Sequence, residues 1–159
     1  MSTEFTRLSP NAGYELVDSH ALSFTQAADS FRDRMVHWLL SRLHGDGFPE
    51  LKSGQLTFLG SLDCGANFAA ELARRLRISR QAVHKTVKDL EAAGWLTTQP
   101  DAELGNQRVI VFTDEGERMM ACARAHFLTL DTQLMQTFGA EKLAAVRDVL
   151  NFDPDAPNA

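Results

Sequence analysis

One predicted helix carries four polar side chains that its spacing places on a single face: Gln81, His84, Lys85 and Lys88. At about 100° per residue they fall within roughly a quarter turn, and the opposite face is apolar, with Val83, Val87 and Leu90. Amide, imidazole and ammonium groups in such an array can donate hydrogen bonds to base edges and phosphate oxygens. The pattern predicts noncovalent recognition of a nucleic acid.

The charge around this face departs from the charge of the whole chain. Residues 71–90 hold two acids, Glu71 and Asp89, against six cations: Arg74, Arg75, Arg77, Arg80, Lys85 and Lys88. The 159-residue chain as a whole has a formal charge of -5. Contacts to DNA phosphates would explain a local cationic excess, because they release condensed counterions. The alternative is an ordinary solvated basic face on an amphipathic helix.

The helix with the polar face has recognisable ends. Ser79 stands where an N-cap belongs and Gly94 where a left-handed helix terminus belongs, which predicts a helix over residues 80–93. A shorter helix is expected over residues 68–76, and the few residues between the two leave room only for a tight turn. This is a helix-turn-helix pattern.

The flanking segments complete the predicted fold. Short β-rich runs at 96–98 and 109–112, separated by turn residues, predict a hairpin that would serve as a wing. Further helices are expected over residues 21–44, 53–63, 114–137 and 140–150, with Thr113 as an N-cap and Gly139 as a break. The fold class predicted is α+β, mostly helical: a winged helix-turn-helix with long N- and C-terminal dimerisation helices.

The predicted organisation has five parts. They are a flexible arm (1–19), an N-terminal dimerisation helix (20–45), a winged helix-turn-helix (51–113), C-terminal dimerisation helices (114–151) and a tail (152–159). The first helix has a seam at alternating spacings of four and three: Phe24, Ala28, Phe31, Met35 and Trp38. We expect the end helices to pack across a two-fold axis, which would set two recognition helices about 34 Å apart. The alternative is that they form intrachain core.

Composition narrows the classes of protein. With 44% hydrophobic residues in 159, the chain can bury one core as a single domain. No apolar run approaches the roughly 20 residues of a membrane helix, and no leader pattern begins the chain, so a cytoplasmic protein is expected. Cys64 and Cys122 form neither a disulfide framework nor a zinc motif. No metal, cofactor or catalytic residue is predicted, and the chain is not expected to be an enzyme.

The ordered motifs of this chain resemble those of the MarR family of winged-helix transcription regulators. The matching stretches are LKSGQLTFLGSL (51–62), AAELARRLRISRQAVHKTVKDLEAAGWL (69–96) and VIVFTDEG (109–116). The resemblance implies a homodimer on double-stranded DNA, with recognition helices in the major groove and wings at the minor groove. It also implies repression at a pseudo-palindromic operator and release by a small, often aromatic, effector.

Transferred by position, the resemblance assigns six residues to DNA binding: Ser79, Arg80, Gln81, His84, Lys85 and Lys88. In the wing, Leu104 and Asn106 occupy positions where the family usually has an acid and an arginine. Arg108 lies two residues nearer the strand end, and a two-residue offset preserves strand facing. Insertion of Arg108 into the minor groove is therefore the hypothesis for this wing.

An effector pocket would lie where the first, second and fifth helices meet, with walls from Met35, Trp38, Phe58 and Phe127. The alternative is that these four side chains are core. Two further functions stay open at this point. One is a winged-helix protein-interaction module with weak DNA binding, suggested by the acidic chain and altered wing; the other is a redox-responsive regulator acting through Cys64 or Cys122.

Overall fold

A computed structural model of the chain describes residues 19–49, 51–63, 65–101 and 107–156. The predicted arm, except for its last residue, lies outside the described residues, as do Cys64 and the last residues of the tail. The elements, in chain order, are α1 (His20–Gly45), α2 (Ser53–Gly60), α3 (Ala69–Leu76), α4 (Arg80–Ala92), β1 (Leu96–Pro100), β2 (Arg108–Phe112) and α5 (Asp114–Leu150). The mostly helical winged helix-turn-helix predicted from the sequence is confirmed.

The chain divides into two compact units at Arg34. The described part of the first unit is the beginning of α1, which exposes Leu22, Phe24 and Phe31. The second unit, from Met35 onward, contains the rest of α1 and every other element. In the described part of the chain, no helix combines the length and apolar character needed to cross a membrane.

The core of the second unit is built around the helix-turn-helix. Val83, Val87 and Leu90 of α4 are buried, as their spacing predicts, and Leu72 of α3 and Leu59 of α2 are buried with them. The outward face of α4 is therefore fixed by the burial of its inward face. Trp95, directly after α4, joins the same core.

The hairpin is a two-stranded antiparallel sheet in which Leu96 pairs with Phe112 and Thr98 with Ile110. Both predicted strands are present, and each is longer than predicted. Ile110 also forms an isolated antiparallel bridge with Asn67, which lies outside the two strands. The wing tip at 102–106, with Leu104 and Asn106, lies outside the described residues.

Asn67 is the one buried polar residue of the described core, at 3% exposure. Its side-chain amide donates to the carbonyls of Asp63 (3.0 Å), Gly65 (2.9 Å) and Ile110 (3.4 Å). Its amide oxygen accepts from the Asp63 N–H at 2.9 Å. The side chain thus ties the loop after α2 to the hairpin, and all its hydrogen-bonding groups are used.

The ends of two helices show how local signals compete with tertiary contacts. Helix α2 ends at Gly60, so the prediction that it reaches residue 63 is wrong. The Asp63 N–H bonds to Asn67 rather than to a helical carbonyl, which explains the early end. In α5, Gly139 has non-helical angles (φ 77°, ψ 163°), which confirms the predicted break.

Candidate nucleic-acid interface

The turn between α3 and α4 depends on Arg77, which adopts the left-handed conformation (φ 54°, ψ 40°). Its N–H donates to the Arg74 carbonyl at 3.3 Å, and the Ile78 N–H donates to the Ala73 carbonyl at 3.1 Å. These bonds satisfy the last carbonyl groups of α3, as in the left-handed C-terminal motif in which glycine is the usual residue. The turn places Ser79 at the start of α4.

Because L-residues pay about 1 kcal/mol or more in this conformation, Arg77→Gly should be more stable than Arg77→Ala by about 0.5–1 kcal/mol. Both variants remove the same charge, so the difference isolates the backbone. Urea unfolding at one protein concentration measures it. Equal stability of the two variants, or a more stable alanine variant, would show that the turn has a different conformation.

Ser79 caps α4 as predicted. Its hydroxyl oxygen accepts from the Ala82 N–H at 3.1 Å, while the hydroxyl proton stays available for donation. The remaining N–H groups of the first turn point the same way and concentrate positive potential at this end of the helix. An anionic oxygen is therefore favoured beside Ser79 and Arg80.

The outward face of α4 carries the side chains that the sequence selected. Gln81, His84, Lys85 and Lys88 are all exposed, and they line one shallow depression together with Ser79. Folding therefore brings five of the predicted DNA-binding residues onto one continuous surface. Contact with DNA stays a prediction.

The cations around this face differ in their partners. Within the described ranges, Arg80, Lys85 and Lys88 form no ion pair. Arg75, in contrast, pairs with Asp63 at 2.8 Å and also donates to the Ser61 carbonyl. Arg75 thus holds the loop after α2, a role that its place in the basic run did not reveal.

Arg108 is the first residue of β2 and pairs with Pro100, at the end of the hairpin next to its connecting loop. Its guanidinium donates to the Thr98 carbonyl at 2.8 Å, so the side chain crosses from β2 to β1. A second depression of about 280 Å³, between α4 and the hairpin, contains Arg108 together with His84 and Lys88. The structure thus joins Arg108 to the α4 face, and minor-groove insertion stays a prediction.

Glu91 also lines this second depression and was not selected from the sequence. Its carboxylate accepts a hydrogen bond from the Thr98 hydroxyl. The bond fixes the end of α4 to β1 and leaves an acid among the cations. Glu91 lies one turn beyond Lys88, and this spacing was the only signal in the sequence.

The four predicted effector-wall residues have different environments. Trp38 and Phe127 contact each other with ring centroids 6.0 Å apart. Phe58 is buried in the core at 4% exposure, whereas Phe127 is 39% exposed. Met35 is half-buried. Trp38 and Phe127 therefore form a common surface, and Phe58 has a core environment.

Of the two cysteines, Cys122 lies within the described residues. Its thiol donates to the Asp46 carboxylate at 3.2 Å, and this hydrogen bond, followed by burial, raises the pKa of the Cys122 thiol. Reaction with oxidants needs the thiolate, so the contact works against redox sensing by Cys122. The pKa of Asp46 is lowered, chiefly by its hydrogen bond with His126.

Comparison with known proteins agrees with this geometry. Residues 67–103, from the buried asparagine through β1, match the sequence model of the MarR family. The chain also superimposes on a solved MarR-family transcription regulator with a TM-score of 0.66 and 18% identity, covering 82% of this chain and 85% of that one. Residues 67–103 are therefore similar in sequence to the MarR family, and the chain has the fold of this solved MarR-family structure.

Two Escherichia coli structures make the same point. Wild-type MarR in its apo form gives a TM-score of 0.60 at 19% identity, with 86% of this chain and 96% of that chain covered. A cysteine-to-serine mutant of MarR, complexed with operator DNA, gives 0.63 at 17% identity, with 82% and 92% covered. No curated protein matches the chain.

Proposed function

We propose that this chain is a sequence-specific, double-stranded DNA-binding transcription regulator that acts as a homodimeric repressor. The observation that carries the proposal is the outer face of α4. It exposes Gln81, His84, Lys85 and Lys88 along a helix that is capped at its N-terminus and whose other face is buried in the core. Such a helix fits the major groove, which is wide enough to admit it.

We assign roles by reach and chemistry. Gln81 can form a bidentate pair with adenine and Lys85 can donate to guanine, because both lie near the start of the helix. Arg80 and Lys88 hold phosphates. Arg108 extends this phosphate-binding surface onto the hairpin, and it enters the minor groove only if its bond to Thr98 is released.

Dimerisation is proposed from unburied apolar side chains. The later part of α5 exposes Met135, Phe138, Val146, Val149 and Leu150, with Phe138 at 50% and Leu150 at 59%. The beginning of α1 exposes Phe24 and Phe31. A second copy would bury these side chains in a symmetric interface, and a two-fold axis would pair the recognition helices with a pseudo-palindromic operator.

Release by a small aromatic effector is proposed for the surface that contains Trp38 and Phe127. Their contact gives a planar ligand two rings to stack against. A release assay with aromatic acids tests this: the effector should lower DNA affinity of the wild type more than that of Trp38→Ala.

The DNA-binding face is tested by the salt dependence of binding. Lys88→Ala should weaken binding to every duplex and reduce the slope of log K against log salt by about 1, because one phosphate contact is lost. Arg75→Ala removes the same charge but from a residue already paired with Asp63. Fluorescence anisotropy of a labelled duplex across a salt series measures both slopes.

The expected contrast is a reduced slope for Lys88→Ala and a wild-type slope for Arg75→Ala. Gln81→Ala should instead reduce the preference for the operator over other duplexes and leave the slope unchanged. Equal slopes of log K against log salt in the wild type and Lys88→Ala would show that Lys88 does not contact a phosphate. Uniformly weak binding to all duplexes would favour the protein-interaction module instead.

A further inference from the structure

A second cluster of chemically active side chains lies outside the α4 face. It contains Asp46, just after α1, and two residues of α5, Cys122 and His126. The Asp46 carboxylate lies 2.6 Å from Nε2 of His126 and 3.2 Å from Sγ of Cys122. One donor atom from each residue lies within 4.8 Å of the other two. The sequence separates Asp46 from the other two by 76 and 80 positions, so only folding assembles the set.

The scaffold holds all three side chains in place. Cys122 and His126 are four residues apart on α5, which puts them on the same helix face. The Asp46 N–H donates to the Arg42 carbonyl at 3.0 Å, which continues the end of α1 into the turn. The His126 ring meets the Trp38 ring edge-on, with centroids 6.1 Å apart. Cys122 and His126 are partly buried, and Asp46 is exposed to solvent.

The donor set selects the kind of ion. A thiolate sulfur, an imidazole nitrogen and a carboxylate oxygen are all ligands of zinc, whereas calcium and magnesium prefer oxygen alone. At zinc bond lengths of about 2.0–2.3 Å, tetrahedral ligand atoms lie about 3.3–3.5 Å apart. The distances from the Asp46 carboxylate to His126 and Cys122, 2.6 and 3.2 Å, are shorter than this, so the carboxylate must rotate outward to make room for the ion.

We propose that Asp46, Cys122 and His126 bind one zinc-class divalent ion, with a water molecule in the fourth position. On binding, the Cys122 thiol loses its proton to solvent and its sulfur bonds to the metal. The His126 Nε2 lone pair and one Asp46 oxygen complete the protein ligands. The ion connects the turn after α1 to the first half of α5, and its binding does not depend on whether the α4 face binds DNA.

The test uses the untagged, metal-free full chain and adds cobalt(II) as a spectroscopic substitute. The proposal expects one equivalent to bind, with a thiolate-to-cobalt charge-transfer band that added zinc abolishes. Cys122→Ser should lose the band, and Cys64→Ser should keep it. Competition with a chromogenic chelator should show that His126→Gln and Asp46→Asn bind zinc at least about tenfold more weakly.

Several outcomes would overturn the proposal. If the wild-type chain shows no charge-transfer band, or does not take up one equivalent of zinc, the three residues form only a hydrogen-bonded cluster and no metal site. Wild-type zinc affinity in Cys122→Ser, or loss of the band in Cys64→Ser, would place the metal elsewhere. Thermal unfolding of each metal-free variant checks that the fold is intact. We expect the variants to fold, because none of the three side chains is fully buried.

Discussion

Gly116→Ala is expected to lower the free energy of unfolding by about 2–3 kcal/mol, although it adds only one methyl group. Gly116 is buried in the first turn of α5, where its N–H donates to the Thr113 hydroxyl at 3.0 Å. A Cβ at this position would overlap the carbonyl oxygen of Trp95 and approach the Phe112 ring to 3.1 Å. The obstacle is backbone, which cannot rotate away as a side chain can.

The clash lies where the start of α5 is hydrogen-bonded to the backbone that follows α4. The Trp95 carbonyl also accepts from the Thr113 N–H at 3.1 Å, and the Thr113 hydroxyl donates to the Gly94 carbonyl at 2.6 Å. If the start of α5 moves to admit the methyl group, these bonds lengthen together. The Gly116→Ala substitution therefore disturbs both the N-cap of α5 and the backbone that follows α4.

Thermal unfolding at a fixed chain concentration measures the effect, because the proposed dimerisation would make the transition depend on concentration. A fall of about 5–10 °C in Tm is expected for a chain of this size. Gly54→Ala is the matched control: it lies in the first turn of α2 with nothing within 4 Å of the added methyl. That variant should be as stable as the wild type or more so. An unchanged Tm in Gly116→Ala would refute the close approach.

Asn67→Asp is expected to destabilise the fold by about 3 kcal/mol at neutral pH, because it exchanges an amide donor for a carboxylate of the same shape. The new oxygen would face the carbonyls of Asp63 and Gly65 at the present distances of 3.0 and 2.9 Å. Two acceptors then oppose each other in a site of 3% exposure. The loop after α2 would lose its connection to β2.

The pH dependence of this variant gives a second signature. Burial beside carbonyl oxygens raises the folded-state pKa of the introduced carboxyl above its unfolded value of about 3.9. The folded state then binds more protons than the unfolded state, so the variant loses stability as pH rises above about 4 and regains it as pH falls. The wild-type amide has no such dependence.

Urea unfolding at pH 7 and pH 4.5 measures both effects. Gln99→Glu, the same exchange on an exposed residue of β1, controls for the added charge and should stay within about 0.5 kcal/mol of the wild type at both values. If Asn67→Asp behaved like this control, the buried hydrogen-bond network would be absent in solution.

The parts of the site that sequence could predict are those set by local periodicity. Gln81, His84, Lys85 and Lys88 were placed on one face because Val83 and Leu90 must be buried on the other, and this needs no knowledge of distant contacts. Ser79 and Thr113 were recognised as caps for the same reason. Helix periodicity and capping are properties of a few consecutive residues.

The parts that sequence missed depend on contacts between distant segments. Asn67 carries no local signal. It connects the loop after α2 to the carbonyl of Ile110 in β2, which follows the helix-turn-helix in the sequence. The cluster of Asp46, Cys122 and His126 has no local signal either, because Asp46 and His126 lie 80 residues apart. Gly116 was recognised within a motif, but its close approach to Trp95 requires the packed structure.

The central claim is that the exposed face of α4 reads double-stranded DNA. The most direct measurement selects a duplex from a random pool with the full chain, then compares its affinity with that of a scrambled duplex over a salt series. We predict strong preference for the selected duplex and, for both duplexes, affinity that falls steeply with salt. Equal, weak affinity for both duplexes at every salt concentration would contradict the claim.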